Sequence, residues 1–163
     1  MTISLGERSP ETVAIYHEKS DCARVREALP QKARTLEEAL EDYRASLRPG
    51  AASYGRTILI DGRYAGDVWC YGIDPGAEPE AMLGYCVLDE ADLNRGVASE
   101  ALRLFLPEAS MRYGIRRFGA FTYADNRASR RVLERNGFAL AERFAESDRE
   151  SCYYEKTLEP PRG

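Results

Sequence analysis

Leu93-Asn94-Arg95-Gly96-Val97-Ala98-Ser99-Glu100-Ala101 is the stretch on which the reading of this chain turns. A strand-like run, Ala81-Met82-Leu83-Gly84-Tyr85-Cys86-Val87-Leu88, precedes it. Ala98, Ala101, Leu102 and Phe105 then recur at i, i+3, i+4, i+7, so the chain passes from strand through loop into a helix that opens at Gly96. The first N–H groups of a helix have no internal partners, and with the helix dipole they make an anion site. Gly96 and Ala98 lack bulk, which lets a diphosphate approach the backbone, and Arg95 offers a charge-assisted contact. Taken alone, the stretch also fits an ordinary helix start.

Downstream lies Tyr123-Ala124-Asp125-Asn126-Arg127-Ala128-Ser129-Arg130-Arg131-Val132-Leu133-Glu134-Arg135-Asn136-Gly137-Phe138. Asn126, Ser129 and Leu133 fall at i, i+3, i+7 on one helical face, which places an amide at the helix start and a hydroxyl one turn further in. The plainer reading is an Asn N-cap with an incidental Ser. Asn136-Gly137-Phe138 supplies a left-handed C-cap with an apolar residue behind it.

Working outward, Thr57-Ile58-Leu59-Ile60 and Tyr64 to Tyr71 flank Asp61-Gly62, a strong hairpin signal. With the 81–88 run they predict a three-stranded antiparallel meander. Ser9-Pro10 predicts the start of a helix running towards Leu29, broken near Asp21 and stopped by Pro30. Thr35-Leu36-Glu37-Glu38 fits a capping box for a helix over about 36 to 47. Pro107 is expected to kink or interrupt the helix after Gly96. Arg117 to Tyr123 reads as a strand, and Phe138–Phe144 with Ser151–Leu158 as a closing strand pair. The order ααβββαβαββ predicts an α/β layer arrangement with a mixed sheet. No linker or repeat divides the 163 residues, so one domain over 1–163 is expected.

Hydrophobic residues make up 44% and charged residues 31%, a globular balance with no apolar run long enough to span a bilayer. The opening residues lack the basic flank and apolar core of a signal peptide, and a cytoplasmic location is expected. Four scattered cysteines (Cys22, Cys70, Cys86, Cys152) read as reduced thiols, and the single histidine, His17, is a poor metal ligand by itself; no metal site is expected. The net charge of −4 argues against nucleic acid. Between Asn94 and Arg135, however, nine arginines face four acids, a local +5 that leaves −9 for the remainder. Such a basic segment suits a polyanionic cofactor, and the acidic remainder suits a cationic substrate; solvated helix faces explain the same charges.

Taken together, the two quoted segments resemble the GNAT superfamily of N-acetyltransferases. The first is similar to its cofactor loop, Arg/Gln-x-x-Gly-x-Gly/Ala, with Leu93 where the usual Arg or Gln stands. The second is similar to the Asn-x-x-Ser-x-x-Val-Leu-Glu-x-x-Gly-Phe helix of its ribosomal-protein N-terminal acetyltransferase subgroup, and Gly84 to Leu88 resembles the family's fourth strand. The resemblance implies an α+β fold with a twisted, mostly antiparallel mixed sheet, central strands splayed apart and helices flanking it. It implies acetyl-CoA as co-substrate: Val87 and Leu88 offering backbone groups to the pantetheine arm, Asn94, Arg95, Gly96, Val97, Ala98 and Ser99 wrapping the diphosphate, Asn126 binding the pantetheine amide and Ser129 lying near the sulfur.

The implied reaction is direct attack of a neutral primary amine, of a peptide or protein N-terminus or a small molecule, on the thioester. A backbone N–H near Val87 or Leu88 would face the oxyanion, and Ser129 the departing thiolate. Related transferases often use a glutamate on the fifth strand and a tyrosine on the next helix. Here Phe121 and Leu133 hold those positions. Replacement bases are sought in the turn Glu146-Ser147-Asp148-Arg149-Glu150, Asp148 first, or in Tyr153 and Tyr154. An α-amine, with a pKa of roughly 8, needs less help than a lysine. The missing acid–base pair also fits a catalytically silent acyl-CoA-binding regulatory or interaction domain. A Rossmann-type binder is excluded, since no Gly-x-Gly-x-x-Gly follows the first strand. A homodimer is compatible with the sequence but not required by it.

Overall fold

Asp61 and Gly62 adopt φ of 50° and 82°, the left-handed pair that a two-residue hairpin turn demands. They join β2 (Tyr54–Ile60) to β3 (Arg63–Asp74), and β4 (Glu80–Val87) completes the antiparallel meander that the sequence predicts. The computed structural model describes residues 1–29, 34–146 and 148–159. Within them a seven-stranded sheet runs in the order β1-β2-β3-β4-β5-β7-β6, with β1 at Ile3–Gly6, β5 at Arg117–Tyr123, β6 at Ala139–Glu146 and β7 at Arg149–Thr157. All neighbouring pairs are antiparallel except β4 and β5. The fold is the expected mixed, mostly antiparallel sheet.

The helical region before the meander divides as its signals require. Ser9 caps α1 (Pro10–Ser20) in a capping box with Thr12, the chain breaks at Asp21 and Cys22, and α2 (Ala23–Ala28) follows. The stop expected at Pro30 lies outside the described residues. Thr35 and Glu38 form the second capping box, at the head of α3 (Leu36–Ser46). These helices cover one face of the sheet, where Val25, Cys86 and Leu88 pack with Tyr16 and Trp69.

The other face carries the main core. There α4 (Val97–Tyr113) buries Ala101, Leu102, Phe105, Leu106 and Ala109 against Ile58, Ile60, Val68, Cys70 and Leu83. It runs through Pro107 without the interruption that was one of the two outcomes expected there. Proline deprives the Arg103 carbonyl of its helical donor, but both residues are on the exposed face, where solvent can reach that oxygen, while the buried stripe holds the helix. A short 3-10 turn, Glu90–Asp92, leads from β4 into α4, and α5 (Arg127–Arg135) follows β5. The N–H groups of Gly137 and Phe138 close α5 onto Glu134 and Leu133, the C-cap read from the sequence.

Two parts of the sheet differ from the sequence reading. The strand β1 was not foreseen; Ile3 to Gly6 pairs with Ile60 to Thr57, and Thr2 and Asp61 tie the two together. The closing strands are also longer than expected, because β6 and β7 stay in register out to Glu146 and Arg149.

Candidate active site

Parallel pairing between β4 and β5 lasts only from Glu80/Arg117 to Met82/Gly119. Beyond that the strands part. Their outer edges remain bonded, β4 to β3 as far as Val87 and β5 to β7 as far as Tyr123. The inner edges therefore present backbone groups to a gap, and buried groups of this kind need partners. An amide-bearing extended chain can dock there as an added strand. A cleft of about 1800 Å3 passes through the gap, joining the start of α4 on one face to α1 and α3 on the other.

At the α4 end, Asn94 and Gly96 have φ of 59° and 77°, and no side chain caps the helix. The first helical bond runs from the Glu100 N–H to the Gly96 carbonyl, so the N–H groups of Val97, Ala98 and Ser99 stay free. A Cβ on Gly96 would meet nothing within 4 Å, so it is the left-handed backbone that demands glycine inside the fold, and the open space leads outward to any ligand. Arg95 does not line the cleft. It turns to Asp92 at 3.6 Å, and that buried carboxylate is already gripped by Arg63 at 3.0 and 3.1 Å, whose hydrogen bonds hold its carboxyl below the usual range.

The basic segment splits between structural and open roles. Arg103 and Arg117 pair with Glu100 and Glu80, Arg112 lies over Tyr54, and Arg130 donates to Tyr154. Arg131 and Arg135 of α5 line the cleft beside the start of α4.

Asn126 is an N-cap that also borders the cleft. Its Oδ1 accepts from the Ser129 N–H at 3.1 Å as an N-cap, while the residue lines the cleft. Ser129 also lines it, and its Oγ lies 2.8 Å from the Tyr85 hydroxyl, which reaches across from β4 and also donates to the Ser129 carbonyl at 3.1 Å. Burial pushes the Tyr85 phenol well up, so it keeps its proton. Tyr85 was read from sequence only as a strand residue; its pairing with a helix 44 positions away leaves no local signal.

Val87 lines the cleft, with its carbonyl accepting from Arg24 of α2 at 3.2 Å. Leu88 does not: its N–H donates to Ala65 at 2.9 Å and its carbonyl takes Arg24 at 2.6 Å. Because the Leu88 N–H points to β3, strand alternation turns that of Val87 towards the gap. Leu133 is core at 1% exposure, whereas Phe121 is half-exposed against Tyr153 and Phe144.

The structure does not bring Asp148 to the cleft. It is exposed at the tip of the β6–β7 turn, whose Ser147 lies outside the described residues. The hairpin is tied down instead by Arg149, which donates to the Glu27 carbonyl and to Asp125 and lies over the Tyr123 ring at 3.5 Å. Glu150 pairs with Arg143, and Tyr154 is buried between Arg130 and Glu134.

On the α1 side, the cleft wall holds a polar cluster that no motif announces. Asp67 accepts from the Tyr64 hydroxyl at 2.8 Å and lies 3.8 Å from the Nε of Arg8. Two strand positions on, Trp69 lies flat over Gly84, where a Cβ would meet the indole at 2.5 Å. Tyr16 of α1 packs edge-on against that ring, 6.0 Å between centroids. Among the described residues no group of three or more His, Cys, Asp or Glu could hold a metal ion, all four cysteines are free, and no helix is long and apolar enough to cross a membrane.

A sheet opened between β4 and β5, with an uncapped helix at one end of the opening, is the arrangement of an acyltransferase class, and the sequence of the chain matches that class. Residues 8–139 match the acetyltransferase (GNAT) domain, and the chain belongs to that family. It is 37% identical over 85 residues to the probable N-acetyltransferase YjcK of Bacillus subtilis (strain 168), a match that covers 52% of this chain and 46% of that protein. The chain thus spans about half the length of that curated relative.

The fold is shared with RimL, a ribosomal L7/L12 alpha-N-protein acetyltransferase solved with coenzyme A, at a TM-score of 0.82 and 23% identity over 97% of this chain and 95% of that one. It is also shared with the acetyltransferase from Salmonella typhimurium that modifies the N-terminal serine of L7/L12 (TM-score 0.79, 22% identity, 98% and 96% covered). The aminoglycoside acetyltransferase AAC(6')-Ib, solved with coenzyme A and kanamycin, has it too (0.77, 14%, 96% and 95%).

Proposed function

We propose that this protein moves an acetyl group from acetyl-CoA to a primary amine by direct attack within a ternary complex. One observation carries the reading: the gap between β4 and β5 leads straight from the uncapped start of α4 to the face covered by α1 to α3. The free N–H groups of Val97, Ala98 and Ser99 take the diphosphate, with Arg131 and Arg135 supplying charge. The pantetheine arm lies along the inner edge of β4, and Asn126 meets its amide. Of the two backbone donors considered for the oxyanion, Val87 is the one facing the gap, since the Leu88 N–H is spent on Ala65.

Acid–base work does not sit at the positions of Phe121 and Leu133. The Tyr85–Ser129 pair replaces the missing acid, holding two hydroxyls where the thiolate departs. Tyr85→Phe should lower kcat about tenfold while leaving the coenzyme A Kd unchanged, because a hydrogen bond to developing charge is lost. An equal loss in coenzyme A affinity would reassign Tyr85 to cofactor binding.

The test of the whole reading pairs calorimetry of coenzyme A with release of free thiol from acetyl-CoA. The amines are a peptide with N-terminal serine and kanamycin, chosen for the chemistry that the structural neighbours handle. Heat together with thiol release supports an acetyltransferase. Heat without turnover on any amine would leave a silent acyl-CoA-binding domain, and no heat would remove both.

A further inference from the structure

Five carboxylates line the cleft among the described residues: Asp21, Glu38, Asp42, Asp67 and Asp92. Four are committed elsewhere. Asp21 and Asp42 pair with Arg26 and Arg34, Glu38 closes the cap of α3, and Asp92 is held by two Arg63 nitrogens. Asp67 differs in every respect. It is 4% exposed, its Oδ1 takes only the neutral Tyr64 hydroxyl, and its Oδ2 stands 3.8 Å from Arg8, beyond hydrogen-bond reach. The Nε of Arg8 and the hydroxyl of Tyr16 are themselves buried without a hydrogen-bond partner among the described residues. Asp67, Arg8 and, beside Cys86, Tyr16 thus leave polar capacity unspent along one wall of the cleft, where burial makes it expensive.

The cluster stands beside the reacting edge. Asp67 is in register with Cys86, and Trp69 with Gly84, so the two side chains flank the Gly84–Cys86 segment of β4 that borders the gap. Resting on the acetyl-transfer reading, we propose that Asp67, at the cluster it forms with Arg8, Tyr16 and Tyr64, takes the proton of the acceptor ammonium through one bridging water. Trp69 is the wall against which the amine is held.

The proton count closes. The ammonium gives one proton to Asp67 and becomes a nucleophile. Its lone pair forms the C–N bond, and the C–S bond breaks with its electrons on sulfur. The surplus N–H proton passes to that thiolate by way of the Tyr85–Ser129 hydroxyls, which end as they began, and Asp67 returns its own proton to solvent. Burial pushes the Asp67 carboxyl up to about 6, opposed by the charge of Arg8 and the hydrogen bond from Tyr64. The other groups that face it are Tyr16 of α1 and Cys86 of β4, with Arg24 of α2 beyond Cys86. Tyr16, Tyr64 and Cys86 are all pushed up by burial and stay neutral, so Arg8 is the one charge that balances Asp67 directly. As the base, Asp67 must be ionised, so the rate should fall as pH drops below about 6.

The experiment uses the whole chain, with coenzyme A calorimetry and thiol release from the serine peptide or kanamycin, over pH 5 to 9. Asp67→Asn should cut kcat/KM at least about 100-fold and abolish the acid limb, with the coenzyme A Kd unchanged. Tyr64→Phe keeps the carboxylate but removes a bond that favours its ionised form, so the acid limb should move to higher pH. That shift is one a merely structural role would not produce, and it serves if Asp67→Asn does not fold. An Asp67→Asn enzyme within threefold of wild type, or an acid limb unmoved in Tyr64→Phe, overturns the proposal and leaves acetyl transfer standing. Wild type that binds coenzyme A but acetylates neither probe overturns the proposal and the enzyme reading together.

Discussion

At the α4 end of the cleft the groups left open to a ligand are backbone: three free N–H groups after Gly96 and the unpaired inner edge of β4. At the α1 end they are side chains gathered from distant places, Arg8 before α1, Tyr16 within it, and Tyr64, Asp67 and Trp69 on β3. Backbone donors can be aimed only by fixing local φ and ψ, which restricts the residues allowed in a short window. Side-chain clusters impose no such window, since each member needs only its own place in the fold. The first kind of site leaves a motif and the second leaves none. It also follows that the two ends should fail differently when altered, one through cofactor affinity and the other through the amine.

The largest effect expected is at Gly96. A valine there must hold φ near 77°, a region forbidden in practice to β-branched residues, and its methyls would enter the path of the diphosphate. Calorimetry should show coenzyme A affinity reduced at least about 100-fold, because donors and approach are lost together. Affinity within threefold of wild type would mean that the α4 terminus is not the anion site, and the contrast between the two ends would collapse.

A smaller effect, on the other side, is expected from Gly84→Ala. The added methyl would meet the Trp69 ring at 2.5 Å, and the indole must tilt because the strand beneath it cannot move. Overpacking of this kind costs about 1–3 kcal/mol of stability. Since Trp69 is the single tryptophan of the chain, its emission should shift. The KM for the amine should rise about tenfold with the coenzyme A Kd unchanged, the mark of lost uniform binding to one substrate. A matching loss in coenzyme A affinity would show that the two ends are not separable.

How much the sequence disclosed follows the same division. The meander, the Ser9 N-cap, the capping box at Thr35, the break at Asp21 and the Asn136-Gly137-Phe138 stop all rest on local chemistry, and all are present. The strand β1 escaped because its four residues are held by β2, more than fifty positions later, and carry no turn signal of their own. Pro107 misled because its local cost falls on a solvent face that absorbs it. At the candidate site, spacing disclosed the helix start at Gly96 and the shared α5 face of Asn126 and Ser129, all of which line the cleft, while the ligand roles proposed for them come from the family resemblance. Arg95 turns away from the cleft to Asp92, the carboxylate that Arg63 also holds, and that contact between β3 and the turn before α4 leaves no local signal. Asp67 went unweighed for the converse reason: the acids of the turn around Asp148, which the structure leaves exposed, are conspicuous in sequence, whereas a lone aspartate inside a strand becomes notable only when its burial is known.

The smallest effect is the most discriminating, because Asn126 belongs to both kinds of site. Its Oδ1 caps α5 through the Ser129 N–H, a local duty, while its Nδ2 is the group proposed to meet the pantetheine amide. Serine caps a helix about as well as asparagine, so Asn126→Ser keeps the first duty and deletes the second. Its thermal midpoint should stay near that of wild type, whereas Asn126→Ala should lose about 1 kcal/mol of stability with the cap. Both variants should bind coenzyme A about fivefold more weakly, the worth of one net hydrogen bond. If instead the serine variant binds coenzyme A as tightly as wild type while alanine does not, the affinity depends on the cap holding α5 in place. Asn126 would then be a structural residue at a cofactor site, and the motif would have been legible for a reason unrelated to the ligand.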